Sequence, residues 1–267
     1  MAGAIRVGIG GWTYEPWRET FYPPGTPKAR ELDYAAAHVT AIEINSSFYS
    51  TQKPATWADW GRRVPEGFKF AVKASRFCTN RRVLAEAGES IAKFLNQGLA
   101  ELGPKLGPIL WQFAATKQFD PQDFAAFLEL LPRSVAGVPL AHAIEPRHES
   151  FRDPRFIEMA RVGGAAIVIA DSPQYPQIAN ITGNFVYARL QDAQEDQPAG
   201  YPEAALDRWA DVARSWARGS APAGLAYVDG HGARDGDRDV YLFMINGAKR
   251  RAPAAAMALI ARLAEPA

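Results

Sequence analysis

The chain has 267 residues, 48% of them hydrophobic and 22% charged, with a formal net charge of +1. That length and mix suit one α/β barrel with a sizeable core, and the near-neutral charge excludes a strong global attraction to nucleic acid or anionic lipid. The lone Cys78 excludes an intramolecular disulfide and points to a reducing compartment, and no apolar run approaches the ~20 residues of a membrane span.

In chain order, the strand expectations are Ile5–Gly11, Ala41–Phe48, Lys69–Ser75, Pro108–Phe113, Ala141–Arg147, Ala165–Asp171, Phe185–Leu190 and Val240–Asn246. Several are nearly continuous apolar runs, which suit strands buried on both faces of a parallel sheet. Helical patterns lie between most of them. Thr26-Pro27 opens one ahead of Leu32 and Ala36, and Ile91, Phe94, Leu95, Leu99 and Leu102 form a stripe. Asp120-Pro121 and Asp153-Pro154 each pair a good N-cap with a proline at the first helical position, and Gly163 is the expected stop of the second helix. Leu206, Trp209, Ala213 and Trp216 form a further stripe. Strand and helix in alternation predict a TIM-type (β/α)8 barrel spanning residues 1–267 as a single domain. The helix after strand 6 is expected to be irregular or missing, and residues 219–239, rich in Gly and Asp, to form a mobile surface insertion. The residues from Met1 to Ile9 lack the layout of a signal peptide, so the expectation is a soluble, cytoplasmic protein.

Seven of the expected strands end in a polar or charged residue: Asn45, Lys73, Gln112, Arg147, Asp171, Arg189 and Asn246. The first ends instead in Gly10, Gly11 and Trp12. A parallel barrel gathers such residues at its C-terminal mouth, where the chemistry of this architecture lies. Side chains alternate along a strand, so parity sorts them. Glu43 and Asn45 fall opposite the isoleucines of their strand, Lys73 shares a face with Ala71, Glu145 shares one with Arg147, and Arg189 with Tyr187. Asp171 shares a face with Ile169 and Ile167 and is assigned to the axis with the rest. The expected mouth therefore holds three acids, Glu43, Glu145 and Asp171, and three bases, Lys73, Arg147 and Arg189.

At these residues the sequence resembles the domain-of-unknown-function 72 family (YecE-like proteins), whose known members are α/β barrels. The carrying segments are Gly10-Gly-Trp-Thr-Tyr-Glu-Pro-Trp17 with Phe21-Tyr-Pro23, Glu43-Ile-Asn-Ser-Ser-Phe-Tyr49, Phe70-Ala-Val-Lys73, Leu110-Trp-Gln112, Glu145-Pro-Arg-His148, Asp171, Tyr187-Ala-Arg-Leu190 and Phe243 to Asn246. The resemblance implies the barrel and brings no settled activity. The chain departs from the family pattern at Thr79-Asn80, Ala114-Ala115 and Gln191-Asp192, where the first and last replace histidine-bearing pairs. A histidine-based mechanism is therefore not carried over.

The residues point to acid–base chemistry on a polar or anionic small molecule, of hydrolase or lyase/isomerase type. Glu43 and Glu145 are the proton-exchanging pair, with Lys73 and Asp171 assisting, since carboxylates in distinct environments split into donor and acceptor. A self-neutralising salt-bridge network is the competing reading of the same charges. Ligand-binding candidates are Trp12, Asn45, Tyr49, Gln112, Arg147, His148, Tyr187, Arg189 and Asn246. Lys249, Arg250 and Arg251, between the last strand and a helix opening near Pro253, are the anion-binding candidates and make a phosphorylated ligand an expected partner. No metal site is expected: the chain has only four histidines, none of them paired at ligand spacing. No cofactor is called for, with Mg²⁺ on Glu43, Glu145 or Asp171 left as an alternative. Nucleic-acid binding or phosphodiester processing, and non-catalytic ligand binding, are the rival functions.

Overall fold

The computed structural model describes residues 2–230 and 236–265. Eight parallel strands close into a barrel: β1 (Ile5–Gly10), β2 (Ala41–Ile44), β3 (Lys69–Lys73), β4 (Leu106–Gln112), β5 (His142–Glu145), β6 (Ala166–Asp171), β7 (Phe185–Leu190) and β8 (Asp239–Met244). Each strand pairs in parallel with its sequence neighbours, and β8 closes on β1 through the register Ile5 to Val240. All eight expected strands are present. A small antiparallel hairpin, Ser134–Val135 with Val138–Pro139, lies outside the barrel and was not foreseen.

The helices are α1 (Glu31–His38), α2 (Pro54–Arg63), α3 (Arg76–Thr79), α4 (Gly88–Leu95), α5 (Pro121–Glu129), α6 (Pro154–Val162), α7 (Glu203–Ala217) and α8 (Ala252–Ala264). Both Asp-Pro starts behave as capping chemistry requires. The Asp120 carboxylate accepts from the amides of Gln122 and Asp123, and that of Asp153 from Arg155. Two boundaries differ from expectation. Thr26 turns its hydroxyl back to the Pro23 carbonyl instead of capping, so a 3-10 turn (Lys28–Arg30) precedes α1. The Ile91 to Leu102 stripe breaks at Gly98, whose φ of 110° no helix accepts; a Cβ there would lie 2.6 Å from the Cα of Pro54.

No helix follows β6. The chain from 172 to 184 runs irregularly and is stitched to the segment after α7: Ala179 donates its amide to the Ala226 carbonyl, and the Asn180 side chain accepts from the Val228 amide. Leu225, Tyr227 and Val228 pack on the outer core there, so this part of the expected insertion covers the place a helix would occupy. Residues 231–235 of that insertion, including His231 and Asp235, lie outside the described residues.

Two apolar layers result. Helices and the outward strand faces enclose the larger layer, which includes Ile42, Ile44, Ile144, Ile167 and Ile169. Inside the barrel the filling is lopsided. Ala41, Ala71, Ala143 and Ala166 face Phe185, Tyr187, Tyr241 and Phe243, so β7 and β8 plug the axis with rings. Tyr187 and Phe243 sit 5.1 Å apart, ring centre to ring centre. The neighbouring strand β1 is correspondingly small beside Phe243: a Cβ on Gly8 would come within 2.9 Å of that ring.

Candidate functional site

Above this plug lies a charged layer built from the next inward register. Glu43, Glu145 and Arg189 are each essentially without solvent exposure. Arg189 lies between the two acids. Its Nε and Nη2 donate to Glu43 at 3.1 and 3.0 Å, and its Nη1 donates to both Glu145 oxygens at 2.9 and 2.7 Å. The same Nη1 reaches the Gln112 amide oxygen at 3.3 Å. Tyr187 donates its hydroxyl to Glu43 at 2.6 Å. Glu145 also accepts from Nε and Nη2 of Arg147, both at 3.2 Å, and from the Gln191 amide at 3.4 Å.

Burial alone would lift the Glu145 carboxyl, but the charges of Arg189, Arg147 and Lys73 outweigh it and hold the group below its ordinary range. Burial, reinforced by Glu43, keeps the Tyr187 phenol protonated well above its usual pKa. The Glu145 carboxyl is thus ionised, and both acids accept hydrogen bonds and are shut away from solvent.

The open space lies on top of this layer. A cavity of about 370 Å³ is lined by six of the seven strand-end residues: Asn45, Lys73, Gln112, Arg147, Arg189 and Asn246. Gly10, Trp17, Phe48, Tyr49, Met244, Ile245 and Lys249 complete the wall. Its size is in the range of small-molecule sites. None of these lining residues is acidic. Asn246 holds a φ of 64°, a left-handed conformation that asparagine tolerates better than most residues and that turns the chain from β8 towards Lys249.

Lys73 leaves the end of β3 with its ammonium 4.1 Å from the centre of the Phe48 ring. Its backbone is fixed by the Ser47 hydroxyl, which donates to the Lys73 carbonyl at 2.7 Å. Among the described residues no carboxylate forms an ion pair with Lys73 or with Lys249. Burial first, then the neighbouring Arg189, pushes the Lys73 amine down to about 8. Lys249 rests its ammonium on the rings of Tyr14 and Trp17, 4.4 and 5.8 Å from their centres, and its carbonyl accepts from the Trp17 indole at 2.9 Å.

The remaining expected site residues separate from the cavity, each for a physical reason. Asp171 is a correction. Its parity with Ile167 and Ile169 holds, but that face turns to the helix layer, while Ala166 and Val168 face the axis. Burial lifts its carboxyl above the usual range, with Arg208 opposing and Asp192 adding to the lift. Trp12 packs edge-on against Trp60 of α2, 5.0 Å away, instead of lining the mouth. His148 caps the turn that follows β5: its Nδ1 accepts from the Ser150 amide at 3.1 Å. Arg250 pairs with Glu19 at 3.0 Å, and Arg251 donates to the Glu195 carbonyl at 3.1 Å, so Lys249 is the only one of the three basic-turn residues that lines the cavity. Glu43, Glu145 and Tyr187 belong to the mouth but lie beneath the cavity floor. Among the described residues no three His, Cys, Asp or Glu side chains converge to hold a metal.

Two contributors were missed. Gln191 stands two residues past Arg189, on the same inward parity, which is a legible signal. Tyr175 comes from the irregular segment after β6 and stacks on Arg147 with its ring 4.2 Å from the guanidinium carbon. Its hydroxyl also accepts from Arg147 at 3.2 Å. Nothing periodic marks that position.

Fold and site together define a parallel (β/α)8 barrel whose C-terminal mouth is a small cation-lined pocket. A family model described as "Protein of unknown function DUF72" matches residues 6–267, and the chain belongs to that family. The UPF0759 protein YunF of Bacillus subtilis (strain 168) is 27% identical over 180 residues, covering 64% of this chain and 61% of YunF. The match therefore spans about three fifths of that relative's length. Among solved structures, a DUF72 family protein from Thermotoga maritima MSB8 superposes with a TM-score of 0.72 at 21% identity, covering 98% of this chain and 100% of the other. One from Enterococcus faecalis V583 gives 0.71 at 19%, covering 98% and 96%. The structure named SacUVDE gives 0.54 at 12%, covering 97% and 98%. At these identities the likeness is one of fold.

Among the described residues no helix is long and apolar enough to cross a membrane.

Proposed function

We infer that this protein is an enzyme that binds an anionic small molecule at the barrel mouth and acts on it by proton transfer, with Lys73 as the acting group. The carrying observation is the charge arithmetic of the site. Glu43 and Glu145 offset Arg189 and Arg147 by direct ion pairs, which leaves Lys73 and Lys249 unpaired by any described acid around a cavity without an acidic wall. Unpaired cations in a partly desolvated pocket favour an anion, and an amine tuned near neutrality serves as a general base.

The two glutamates take a different part from the one their spacing suggested. Each is spent on a guanidinium and neither reaches the cavity, so both hold Arg189 in the cavity floor instead of exchanging protons. Gln112, Asn45 and Asn246 supply hydrogen bonds to a polar ligand, and Tyr49, two-thirds exposed, stands at the entrance. The nucleic-acid reading loses support because Arg250 and Arg251 are engaged by Glu19 and Glu195.

The test is conversion of small anions in deuterated water, followed by NMR. Carboxylated and phosphorylated compounds are first ranked by the thermal stabilisation they confer. The expected result is deuterium incorporation or product from at least one binder with the wild type, and none with Lys73→Met. Binders left unchanged by the wild type overturn the enzymatic reading in favour of non-catalytic ligand binding.

A further inference from the structure

We propose that Lys73 is a covalent attachment point and that the ligand class is a carbonyl-bearing anion, a 2-oxo acid or a phosphorylated aldehyde, held as an imine on Nζ. The proposal deepens the anion-binding reading and rests on it. The geometry carries it in three ways. Lys73 ends β3 on the same inner face as Ala71, in the cavity wall, with its amine against Phe48. No described carboxylate pairs with it, so the amine is not committed to a salt bridge. Cations stand in the same cavity at Arg147, Arg189 and Lys249. Arg147 and Lys249 take the ligand's acid group and leave its carbonyl to the amine.

An amine flanked by cations and shielded from water is the arrangement that makes a lysine nucleophilic near neutral pH. In keeping with this, burial and Arg189 bring Lys73 down to about 8, which leaves about a tenth of it unprotonated at pH 7, far more than an ordinary lysine. Lys249 is the other amine at the mouth; burial lowers it too, but no neighbouring cation adds to that as Arg189 does at Lys73.

The step balances without a co-reactant. The Nζ lone pair adds to the carbonyl carbon, giving a carbinolamine. The carbonyl oxygen then leaves with the two Nζ protons as one water, and a C=N bond replaces the C=O bond. Protonated, the imine draws electrons from the adjacent carbon, which is where proton removal or bond cleavage becomes easy. Hydrolysis of the imine restores the lysine.

The probes are glyoxylate and pyridoxal 5′-phosphate, each with borohydride to trap the imine, and the modified lysines are mapped by peptide mass spectrometry. Inorganic phosphate serves as a non-covalent competitor, and its own binding is read by thermal unfolding. The expected result is modification of Lys73 about tenfold or more faster than of Lys249 and the exposed Lys28 and Lys53, slowed by phosphate. Lys73→Arg keeps the charge and is expected to retain the phosphate stabilisation while losing the fast-labelling site. Phosphate stabilisation with no preferential modification of Lys73 overturns this proposal and leaves the anion-binding reading standing. Absence of both overturns both. Fast modification that phosphate does not slow places the probe outside the anion cavity and also overturns it.

Discussion

The charges at the barrel mouth lie in two layers that differ in how they are satisfied. In the lower layer Glu43, Arg189 and Glu145 are sealed from solvent, and each charge has a partner at hydrogen-bond distance. In the upper layer Lys73 and Lys249 face an open cavity and meet aromatic rings instead of acids. A sealed, neutralised network contributes rigidity and orientation, and it offers a ligand little. An unsatisfied cation in a cavity costs stability in the free protein, and that cost is recovered when an anion binds. The proposed chemistry is therefore assigned to the upper layer, although the lower one holds more charge.

The largest expected effect breaks the lower layer. Arg189→Met leaves two buried carboxylates without their central partner and is expected to cost at least about 3–5 kcal/mol in urea unfolding. A loss under about 1 kcal/mol would mean the network is not sealed. Glu145→Gln comes next, with an expected cost of about 2–3 kcal/mol near neutral pH from weakening a buried charged hydrogen bond. The sign of its pH dependence follows from its depressed pKa. A carboxylate held below its unfolded value of 4.5 contributes stability that is present above that pH and lost as pH falls through the folded value. Acid titration of unfolding should therefore show a weaker loss below pH 4.5 in Glu145→Gln than in the wild type.

The upper layer predicts the opposite sign. The Lys73 amine is lowered from 10.5 to about 8, so between those values the unfolded chain holds more protons, and wild-type stability rises with pH across that window. Lys73→Met is expected to be more stable than the wild type at pH 7, by on the order of 2 kcal/mol, with the gain shrinking above pH 8. A variant less stable than the wild type at pH 7 would show that Lys73 is satisfied in the free protein. The smallest effects belong to residues outside both layers. Arg250→Ala and Arg251→Ala remove exposed pairs and should cost under about 1 kcal/mol, with anion affinity unchanged. Asp171→Asn should likewise leave anion affinity unchanged; a weakening on calorimetry would place Asp171 back at the mouth.

How far the sequence reached follows from what each strand offered. Where a strand carried alanine one register below its polar end, parity marked the axis correctly: Ala41 under Glu43, Ala71 under Lys73, Ala143 under Glu145. The reason is crowding, since rings from β7 and β8 fill the axis and leave room only for small side chains opposite. In β6 both faces are apolar, so the polar end at Asp171 alone makes the face of Ile167 and Ile169 read as axial. The same crowding rule, applied to Ala166 and Ala170, sends Asp171 outward. Sequence also named the charges of the mouth without resolving their depth. Which acids are sealed depends on Arg189 bridging two strands three positions apart in the barrel from one of them and two from the other, a relation no local pattern encodes. Tyr175 was invisible for a related reason, since it is delivered by a segment with no regular structure.

The most direct test of the two-layer account is the thermal stabilisation conferred by inorganic phosphate, compared between the wild type and the Lys73→Met, Lys249→Met double variant. The account predicts a clear rise in the wild-type midpoint at pH 7 that weakens as pH passes about 8, and little or none in the double variant. Equal stabilisation of the two proteins would contradict it, because the anion would then be held without the unpaired cations of the upper layer.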